Sequence, residues 1–272
     1  MLKAEKLKDY DPKKFRPGYV SPKYNGIHGI YEKGCGHLYS RTPKAFDGLW
    51  HLEQILDDFP MSVVGEVVIP GVPFQEASGL IRSSHATPEA CFYIFNCFDT
   101  HWPDVTFAER YDALQDYYKC NETRLIKNQV FLIEPAMVHT THEFDLFYDQ
   151  ALHMGHEGVC WIAPDHVYQP GKRGWNWMKR VPLKSIEATV EEILPGTLGK
   201  KYEHSLGRLV CRMDDGNIVK VGIFKGHSDS WRQHIYDTRE EYIGARVTIV
   251  FKDYSAKGIP VQPRFKEFRW DL

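Results

Sequence analysis

The sequence predicts two domains: an α+β domain built on antiparallel sheets, followed by an all-β barrel. The chain has 272 residues, a length that suits one large domain or two. Up to about residue 184, apolar strand-like runs alternate with amphipathic helical segments. Beyond that point the pattern changes to short strands separated by turns.

The elements of the first part follow from their periodicity. The runs GIHGIYEK and HLYSR, with GCG between them, predict a β-hairpin. The segment LWHLEQILDDF has apolar residues at positions 49, 52, 55, 56 and 59, which is the spacing of a helix. Further strands are predicted from MSVVGEVVI, ACFYIFNCF, VFLIEPAMV and GVCWIA, and further helices from FAERYDALQDYYK and HEFDLFYDQALHMG.

The second part reads as a small barrel. Strands are predicted from SIEATVEEIL, GRLVCRMDD, NIVKVGIF, ARVTIVFKDY and RFKEFRW, and one helix from SDSWRQHIYDTREEYIG. Five strands with a helix between the third and the fourth are the outline of an OB-type barrel. We place the boundary between the two parts near residues 183–186.

Hydropathy and cysteine usage favour a reduced, cytoplasmic setting. No apolar run approaches twenty residues, so no membrane span is expected. The N-terminal segment MLKAEKLKDYDPKKF is charged throughout and lacks the apolar core of a signal peptide. The six cysteines form no CxxC pair, which favours reduced thiols over a zinc site.

Charge is segregated along the chain, although the net charge is only −2. Residues 1–46 carry ten Lys/Arg against four Asp/Glu, whereas residues 47–171 carry five against nineteen. Residues 172–184 carry five basic residues and no acidic one. Such segregation is typical of a protein with one face on a phosphate backbone. A solvated terminus plus a basic loop would give the same counts.

Lys23, in SPKYNGIHG, ends an extended segment just before a glycine turn and is a candidate nucleophile. A lysine attacks as the neutral amine, so we expect burial or nearby positive charge to lower its pKa. Glu66 in VVGEVVIP and Glu157 in GHEGVCWIA each adjoin a glycine within an apolar strand. Burying an unpaired carboxylate is costly, which favours a ligand contact, although each could instead face solvent.

Lys179 lies in KRGWNWMKR, where cations interleave with tryptophans. This composition fits phosphate contact combined with stacking, or else a solvated hairpin. Arg41 in LYSRT could hold a phosphate, but the residue alone is a weak signal.

The order of these segments carries more information than any one of them. K-x-N-G, S-R, G-E between apolar residues, an aromatic strand, E-G and a basic segment before a barrel resemble the motif series of ATP-dependent DNA ligases. The resemblance runs from Ser21 to Arg269 and is nearest to the small two-domain ligases of bacteriophage type. It implies a nucleotidyltransferase (adenylation) domain over residues 1–184 and an OB-fold domain over residues 185–272.

The resemblance also implies roles for individual residues and for ligands. The ligands would be ATP, Mg²⁺ (or Mn²⁺) and nicked duplex DNA, bound by a monomer. For the nucleotide, Lys23 would carry AMP, Phe95 would stack on the adenine, and Glu66 would bind the ribose hydroxyl. Lys179 and Lys184 would contact phosphates, Arg41 would contact a phosphate or the nick, and Glu157 and Glu66 would bind the metal. The residues that would contact DNA are Asn25, His28, Arg173, Arg264, Lys266 and Arg269.

Three positions depart from the family pattern. Asn25 stands where the family has aspartate, which removes a charge but keeps an acceptor oxygen. His28 stands where arginine is common, and histidine is only partly charged near neutral pH. Val181 occupies the position of a second lysine, so Arg180 or Lys184 would have to supply that charge.

The function implied by the resemblance is the sealing of DNA nicks in replication, repair or recombination. An RNA ligase or an mRNA-capping guanylyltransferase would use the same lysine chemistry. A non-catalytic OB-type nucleic-acid-binding protein would bind DNA without forming a covalent nucleotide adduct. A Lys23→Ala variant separates the enzymes from the binding protein, a preference for ATP over GTP separates the capping enzyme, and an RNA nick separates the RNA ligase.

Overall fold

A computed structural model describes residues 4–99, 104–255 and 257–269. The chain divides into two compact units, Met1–Val181 and Pro182–Leu272. The sequence predicts this boundary three residues further on, after residue 184. In the part of the chain that the structure describes, no helix combines the length and apolar character needed to cross a membrane.

Two five-stranded sheets and the helices that cover them form the described part of the first unit. Sheet A has the strand order β1-β10-β9-β2-β8, and sheet B has the order β4-β3-β5-β6-β7. The strands are β1 (Lys8–Asp9), β2 (Gly18–Lys23), β3 (Ile27–Tyr31), β4 (Leu38–Ser40), β5 (Ser62–Val68), β6 (Cys91–Phe98), β7 (Val130–Leu132), β8 (Ala136–Val138), β9 (Gly158–Ile162) and β10 (Trp177–Arg180). The helices are α1 (Trp50–Leu56), α2 (Phe74–Ile81), α3 (Phe107–Lys127) and α4 (Thr141–His153), and a 3₁₀ turn spans Pro12–Lys14.

The sheets are antiparallel except at two pairs, β1 with β10 and β6 with β7. The predicted hairpin of β3 and β4 is confirmed. The prediction of one strand over VFLIEPAMV is wrong, because this segment supplies β7 to sheet B and β8 to sheet A. Pro135 lies between the two strands, where it cannot donate a ladder hydrogen bond.

The long helices begin at side-chain caps and bury one face each. Thr106 and Glu109 form a capping box at the start of α3. The Thr140 side chain accepts a hydrogen bond from the backbone N–H of Glu143 at the start of α4. Helix α3 packs in a core cluster with residues of sheet B, and α4 packs in a second cluster with residues of sheet A.

A third core cluster joins the two sheets to each other. It contains Ile30 and Val64 from sheet B with Ile162 and Trp177 from sheet A. The inner face of each sheet is therefore apolar over this region, and polar side chains on these faces must find partners within the layer. This arrangement positions the candidate site described below.

The second unit is built on a five-stranded antiparallel sheet with the order β13-β12-β11-β14-β17. A backbone bridge between Ile223 and Arg264 brings the chain beyond β13 to β17, so the two ends of the sheet meet. This agrees with the predicted OB-type outline. Its elements are β11 (Lys184–Pro195), β12 (Leu206–Met213), β13 (Ile218–Val221), α5 (Asp229–Asp237), a 3₁₀ turn (Arg239–Tyr242), β14 (Arg246–Phe251), β15 (Asp253–Tyr254), β16 (Pro260–Val261) and β17 (Arg264–Arg269).

The predicted helix between the third and fourth strands is confirmed, but it is shorter than expected. Helix α5 ends at Asp237, and the remainder of the predicted helix forms the 3₁₀ turn. Its core residue Ile235 packs with Leu209 and Val247 of the sheet. The small hairpin of β15 and β16 is not evident from the sequence pattern.

Candidate active site

Lys23 is the last residue of β2 and lies opposite Gly158 at the start of β9. Its Nζ donates a hydrogen bond to Oε2 of Glu157 at 2.7 Å. The two side chains are only 19% and 12% exposed, so this is a largely buried ion pair. The backbone N–H of Glu157 also donates to the carbonyl of Lys23 at 3.1 Å, which ties the two residues together twice.

Gly158 is required by the geometry at this point. Its φ is +152°, and a Cβ built on it would lie 2.2 Å from the carbonyl oxygen of Arg180. A side chain would therefore push β10 away from β9 beside the Lys23–Glu157 pair. The E-G pattern in the sequence thus reflects the close approach of two strands.

The electrostatic setting of Lys23 differs from the one that we expect for a nucleophile. Burial lowers its pKa, but Cys160, Glu157 and Glu66 raise it by more, and the net pKa is above the ordinary lysine value. Burial raises the pKa of the Cys160 thiol to about 11, so this thiol is uncharged at neutral pH. The groups that then hold the Lys23 ammonium are the carboxylates of Glu157 and Glu66. In this state Lys23 is protonated and must lose a proton before it can attack.

Glu66 lies on β5 of sheet B, opposite His28 on β3 and Tyr93 on β6. Nδ1 of His28 is 3.7 Å from Oε1 of Glu66. The Phe95 ring lies on the same face, with its centroid 5.8 Å from that of His28. The structure therefore brings together Glu66 and Phe95, which the sequence analysis assigns to the nucleotide, and His28, which it assigns to DNA.

His28 is buried, which does not favour the predicted direct contact with DNA. Its Nε2 has no hydrogen-bond partner among the described residues. A buried polar atom without a partner is costly, and a ligand that bonds to it would remove that cost. The Nε2 atom of His28 therefore fits a polar ligand bound between Glu66 and Phe95.

An aromatic stack adjoins the site and is not predicted from the sequence. The Tyr24 ring stacks on Tyr93 at 4.5 Å, and Tyr93 stacks on Phe131 at 5.0 Å. Tyr93 precedes Phe95 by two residues, so strand periodicity places both on one face. Tyr24 directly follows Lys23, and this adjacency is the signal that could have identified it.

Lys179 lies on β10 opposite Cys160 of β9, which in turn interacts electrostatically with Lys23. Its neighbour Arg180 lies elsewhere: the guanidinium forms an ion pair with Asp145 and lies 4.0 Å from the Tyr148 ring centroid. Arg180 is therefore occupied by contacts to α4. Lys184, the other candidate for the second motif charge, belongs to the second unit.

The remaining predicted site residues lie at the surface or in the second unit. Asn25 and Arg41 are exposed in turns that follow β2 and β4. Nε of Arg173 donates to the carbonyl of Leu7 at 3.0 Å. In the second unit, Lys184 pairs with Asp253 at 2.7 Å, Lys266 pairs with Glu267 at 3.2 Å, and Arg269 lies 3.7 Å from Glu187, while Arg264 begins β17.

The site offers two carboxylates to a cation. Among the described residues no group of three His, Cys, Asp or Glu side chains is arranged to hold a metal. Glu157 and Glu66 both interact with Lys23, so they share one neighbourhood. Mg²⁺ is commonly held by one or two carboxylates together with substrate phosphates, and this pair fits that requirement.

Comparison with known proteins places the chain in a family. Residues 3–180 match the model of the ATP dependent DNA ligase domain, and residues 199–269 match that of the DNA ligase OB-like domain. The chain is 25% identical over 274 residues to the DNA ligase of African swine fever virus, covering 92% of this chain and 63% of the viral protein. It is 30% identical over 195 residues to the DNA ligase of Archaeoglobus fulgidus, covering 63% of this chain and 33% of that protein.

Solved structures share the fold. A Lig E DNA ligase superposes with a TM-score of 0.75 at 18% identity, over 99% of this chain and all of that one. The Chlorella virus DNA ligase-adenylate superposes with a TM-score of 0.60 at 22% identity, over all of this chain and 99% of that one. The chain spans less than two thirds of the length of the first relatives it matches by sequence. The family model covers well over half of the residues, and the chain belongs to the ATP-dependent DNA ligase family.

Proposed function

We propose that this protein is an ATP-dependent DNA ligase that seals 5′-phosphate/3′-hydroxyl nicks in duplex DNA. The observation that carries the proposal is the buried Lys23–Glu157 pair, set at a strand end beside Glu66. A lysine in such a place is costly unless its charge or its reactivity is used. The family to which the chain belongs supplies the reaction class.

In the first step Lys23 would lose a proton and attack the α-phosphate of ATP. A bond forms between Nζ and phosphorus, and the bond to the pyrophosphate breaks. Oε2 of Glu157, 2.7 Å from Nζ, is the nearest carboxylate oxygen for the departing proton. The raised pKa of Lys23 means that proton loss limits this step at low pH.

The residues around Lys23 would orient the nucleotide. Phe95 offers a ring face to the adenine, and Glu66 offers an acceptor to a ribose hydroxyl. Lys179 adds positive charge for the phosphates. We reassign His28 from DNA to the nucleotide, because it is buried and its Nε2 has no partner among the described residues.

Glu157 and Glu66 would also hold Mg²⁺ or Mn²⁺, which supplies positive charge to the phosphate oxygens in phosphoryl transfer. The protein's own part is to place both carboxylates close to Lys23. The electrostatic influence of both carboxylates on Lys23 supports this assignment.

In the second step Lys23 would release the adenylyl group to the 5′-phosphate at the nick. The 3′-hydroxyl oxygen then attacks that phosphate, a phosphodiester bond forms and AMP leaves. We propose that a monomer performs all three steps. Contacts to DNA are assigned to Asn25, Arg41, Arg173, Arg264, Lys266 and Arg269, and phosphate contact to Lys184.

The test is a gel assay on a duplex with one 5′-phosphorylated nick, with ATP and Mg²⁺. Wild type is compared with Lys23→Ala and with Lys33→Ala, a matched control at an exposed lysine in the turn after β3. We expect sealing by wild type and by Lys33→Ala, and none by Lys23→Ala. The same duplex with an RNA nick, and GTP in place of ATP, separates the RNA ligase and capping alternatives.

Each outcome decides between the proposals. Sealing of the RNA nick alone would move the substrate to RNA and overturn the DNA assignment. DNA binding with no covalent nucleotide on the wild-type protein would leave a binding module. Sealing by Lys23→Ala would show that another residue carries the adenylyl group.

A further inference from the structure

A basic surface lies at the N-terminal edge of sheet A, apart from the residues around Lys23, and it includes Arg173, to which a DNA contact is assigned above. It consists of Lys6, Lys8, Lys14, Lys172, Arg173 and Trp175, and we call it the Trp175 patch. Backbone hydrogen bonds join its two segments: the N–H of Lys6 donates to the carbonyl of Lys172 at 2.9 Å, and β1 pairs with β10. The patch therefore unites the two basic stretches of the sequence, although they are far apart along the chain.

Trp175 holds the lysine ammonium groups in place without neutralising them. Nζ of Lys8 lies 3.8 Å from the centroid of the Trp175 ring, and Nζ of Lys14 lies 6.0 Å from it. A cation–π contact fixes an ammonium but leaves its full charge and its N–H donors available. Trp175 itself is 40% exposed.

The charge of the patch is not balanced by acidic partners. Within residues 4–99, 104–255 and 257–269, none of its five cations pairs with a carboxylate. Lys23 and Arg180 of the same unit, by contrast, each pair with a carboxylate. Grouped, unpaired cations around one aromatic ring create a local positive potential.

The patch is separate from the nucleophile. Lys8 lies opposite Met178 in the β1–β10 pair, and Met178 belongs to the core cluster between sheet A and α4. The neighbouring residue Trp177 belongs instead to the cluster between the two sheets, on the side of Phe95. Since side chains alternate along a strand, Lys8 and Lys179 are on opposite faces of the sheet edge.

We propose that the Trp175 patch binds the sugar-phosphate backbone of the duplex away from the reacting nick. This inference rests on the proposed function, because it takes double-stranded DNA as the ligand. A phosphate backbone matches the patch in charge and needs no base recognition. Such a contact adds affinity for DNA without entering the chemistry at Lys23.

The test compares Lys8→Gln/Lys14→Gln with Lys119→Gln/Lys127→Gln, which removes two exposed charges from α3. Binding to a nicked duplex is measured by fluorescence anisotropy between 50 and 200 mM salt. Each lost phosphate contact lowers the slope of log K against log salt by about 0.9. For the patch variant we expect this slope to fall by about 1.8, since two contacts are lost. The ratio of wild-type to patch-variant affinity should then fall about twelvefold between 50 and 200 mM salt. For the α3 control we expect no change of slope.

A second variant and a second measurement keep the two proposals apart. Trp175→Leu keeps both charges but removes the ring, so we expect weaker binding with a slope close to wild type. Transfer of labelled AMP from ATP to the protein, without DNA, should proceed at the wild-type rate in every variant. An unchanged slope in Lys8→Gln/Lys14→Gln, or an equal loss in the α3 control, would overturn the patch as a specific contact. Absence of AMP transfer in the wild type would instead overturn the proposed function.

Discussion

Replacing Glu157 by glutamine should raise the reactivity of Lys23 in the protein without nucleotide. Glu157 is the hydrogen-bonded partner among the groups that raise the pKa of Lys23, while burial acts in the opposite direction. The substitution keeps the shape of the side chain but removes its charge. Without the charge of Glu157, the pKa of Lys23 should fall, because burial lowers it and one of the groups that raise it is gone. A larger fraction of Lys23 is then the neutral amine at any pH below its pKa.

The size of the effect follows from the geometry of the pair. A hydrogen bond between two charged groups contributes about 1.5–3 kcal/mol when it is shielded from water. Both side chains of the pair are less than one fifth exposed, so little solvent screening applies. At about 1.4 kcal/mol for each factor of ten, the neutral fraction of Lys23 should rise roughly 10- to 150-fold.

The chain provides a matched control for burial. Lys184 and Asp253 also pair at 2.7 Å, but these side chains are 54% and 68% exposed. An exposed pair is worth about 0.2–1 kcal/mol, so Asp253→Asn should change the reactivity of Lys184 by no more than roughly fivefold. The two ion pairs have the same N–O distance and differ in how far they are buried.

The assay is carbamylation by cyanate, which modifies neutral amines, followed by peptide mass spectrometry across pH 6–9. The ratio of variant to wild-type rates at each lysine gives the change in neutral fraction. Equal ratios at Lys23 and Lys184 would refute the reasoning, because burial would then have no influence on the pair. A fall in Lys23 reactivity would show that Glu157 does not hold the ammonium.

Three further predictions concern the site and its support. Gly158→Ala should lower both the denaturation midpoint and AMP transfer to the protein, because a Cβ would lie 2.2 Å from the Arg180 carbonyl; an unchanged midpoint in urea would contradict this. Phe95→Ala should raise the ATP concentration needed for half-maximal AMP transfer by about 5- to 150-fold, the value of one base stack, with DNA affinity in anisotropy unchanged. Leu209→Ala, at a fully buried position of the second unit, should lower the free energy of unfolding by about 2–5 kcal/mol in urea titration. A loss below about 1 kcal/mol would contradict this and would mean that neighbouring side chains fill the cavity.

Much of the fold follows from local pattern. Strands such as β5 and β6 are predicted because their β-branched and aromatic residues suit a buried sheet. The division of VFLIEPAMV between two sheets is not predicted, since strand partners are set by tertiary packing rather than by periodicity. Helix α2 is missed because it is short and contains Gly79, a weak helix former.

The site is only partly predictable for a related reason. The positions of Lys23, Glu66 and Glu157 can be identified from the chemistry that each segment could support. The pairing of Lys23 with Glu157 joins residues 134 positions apart, and no local pattern encodes it. Without that pairing the sequence predicts a lowered pKa for Lys23, whereas the two carboxylates raise it.

The contacts of Arg180 likewise could not be predicted from the sequence. Its spacing after Lys179 makes it a reasonable candidate for the second motif charge. Alternation along β10 turns it towards α4 instead, where Asp145 and Tyr148 bind it. Only the strand assignment of this segment, which the sequence leaves open, separates the two roles.

The most direct test of the central claim is to locate the nucleotide on the protein. Wild-type protein is incubated with ATP and Mg²⁺ without DNA, digested under conditions that preserve phosphoramidates, and mapped by tandem mass spectrometry. We predict AMP on Lys23 alone, and its transfer to the 5′-phosphate when nicked duplex is added. AMP on any other lysine, or an unmodified Lys23 after full incubation, would contradict the account.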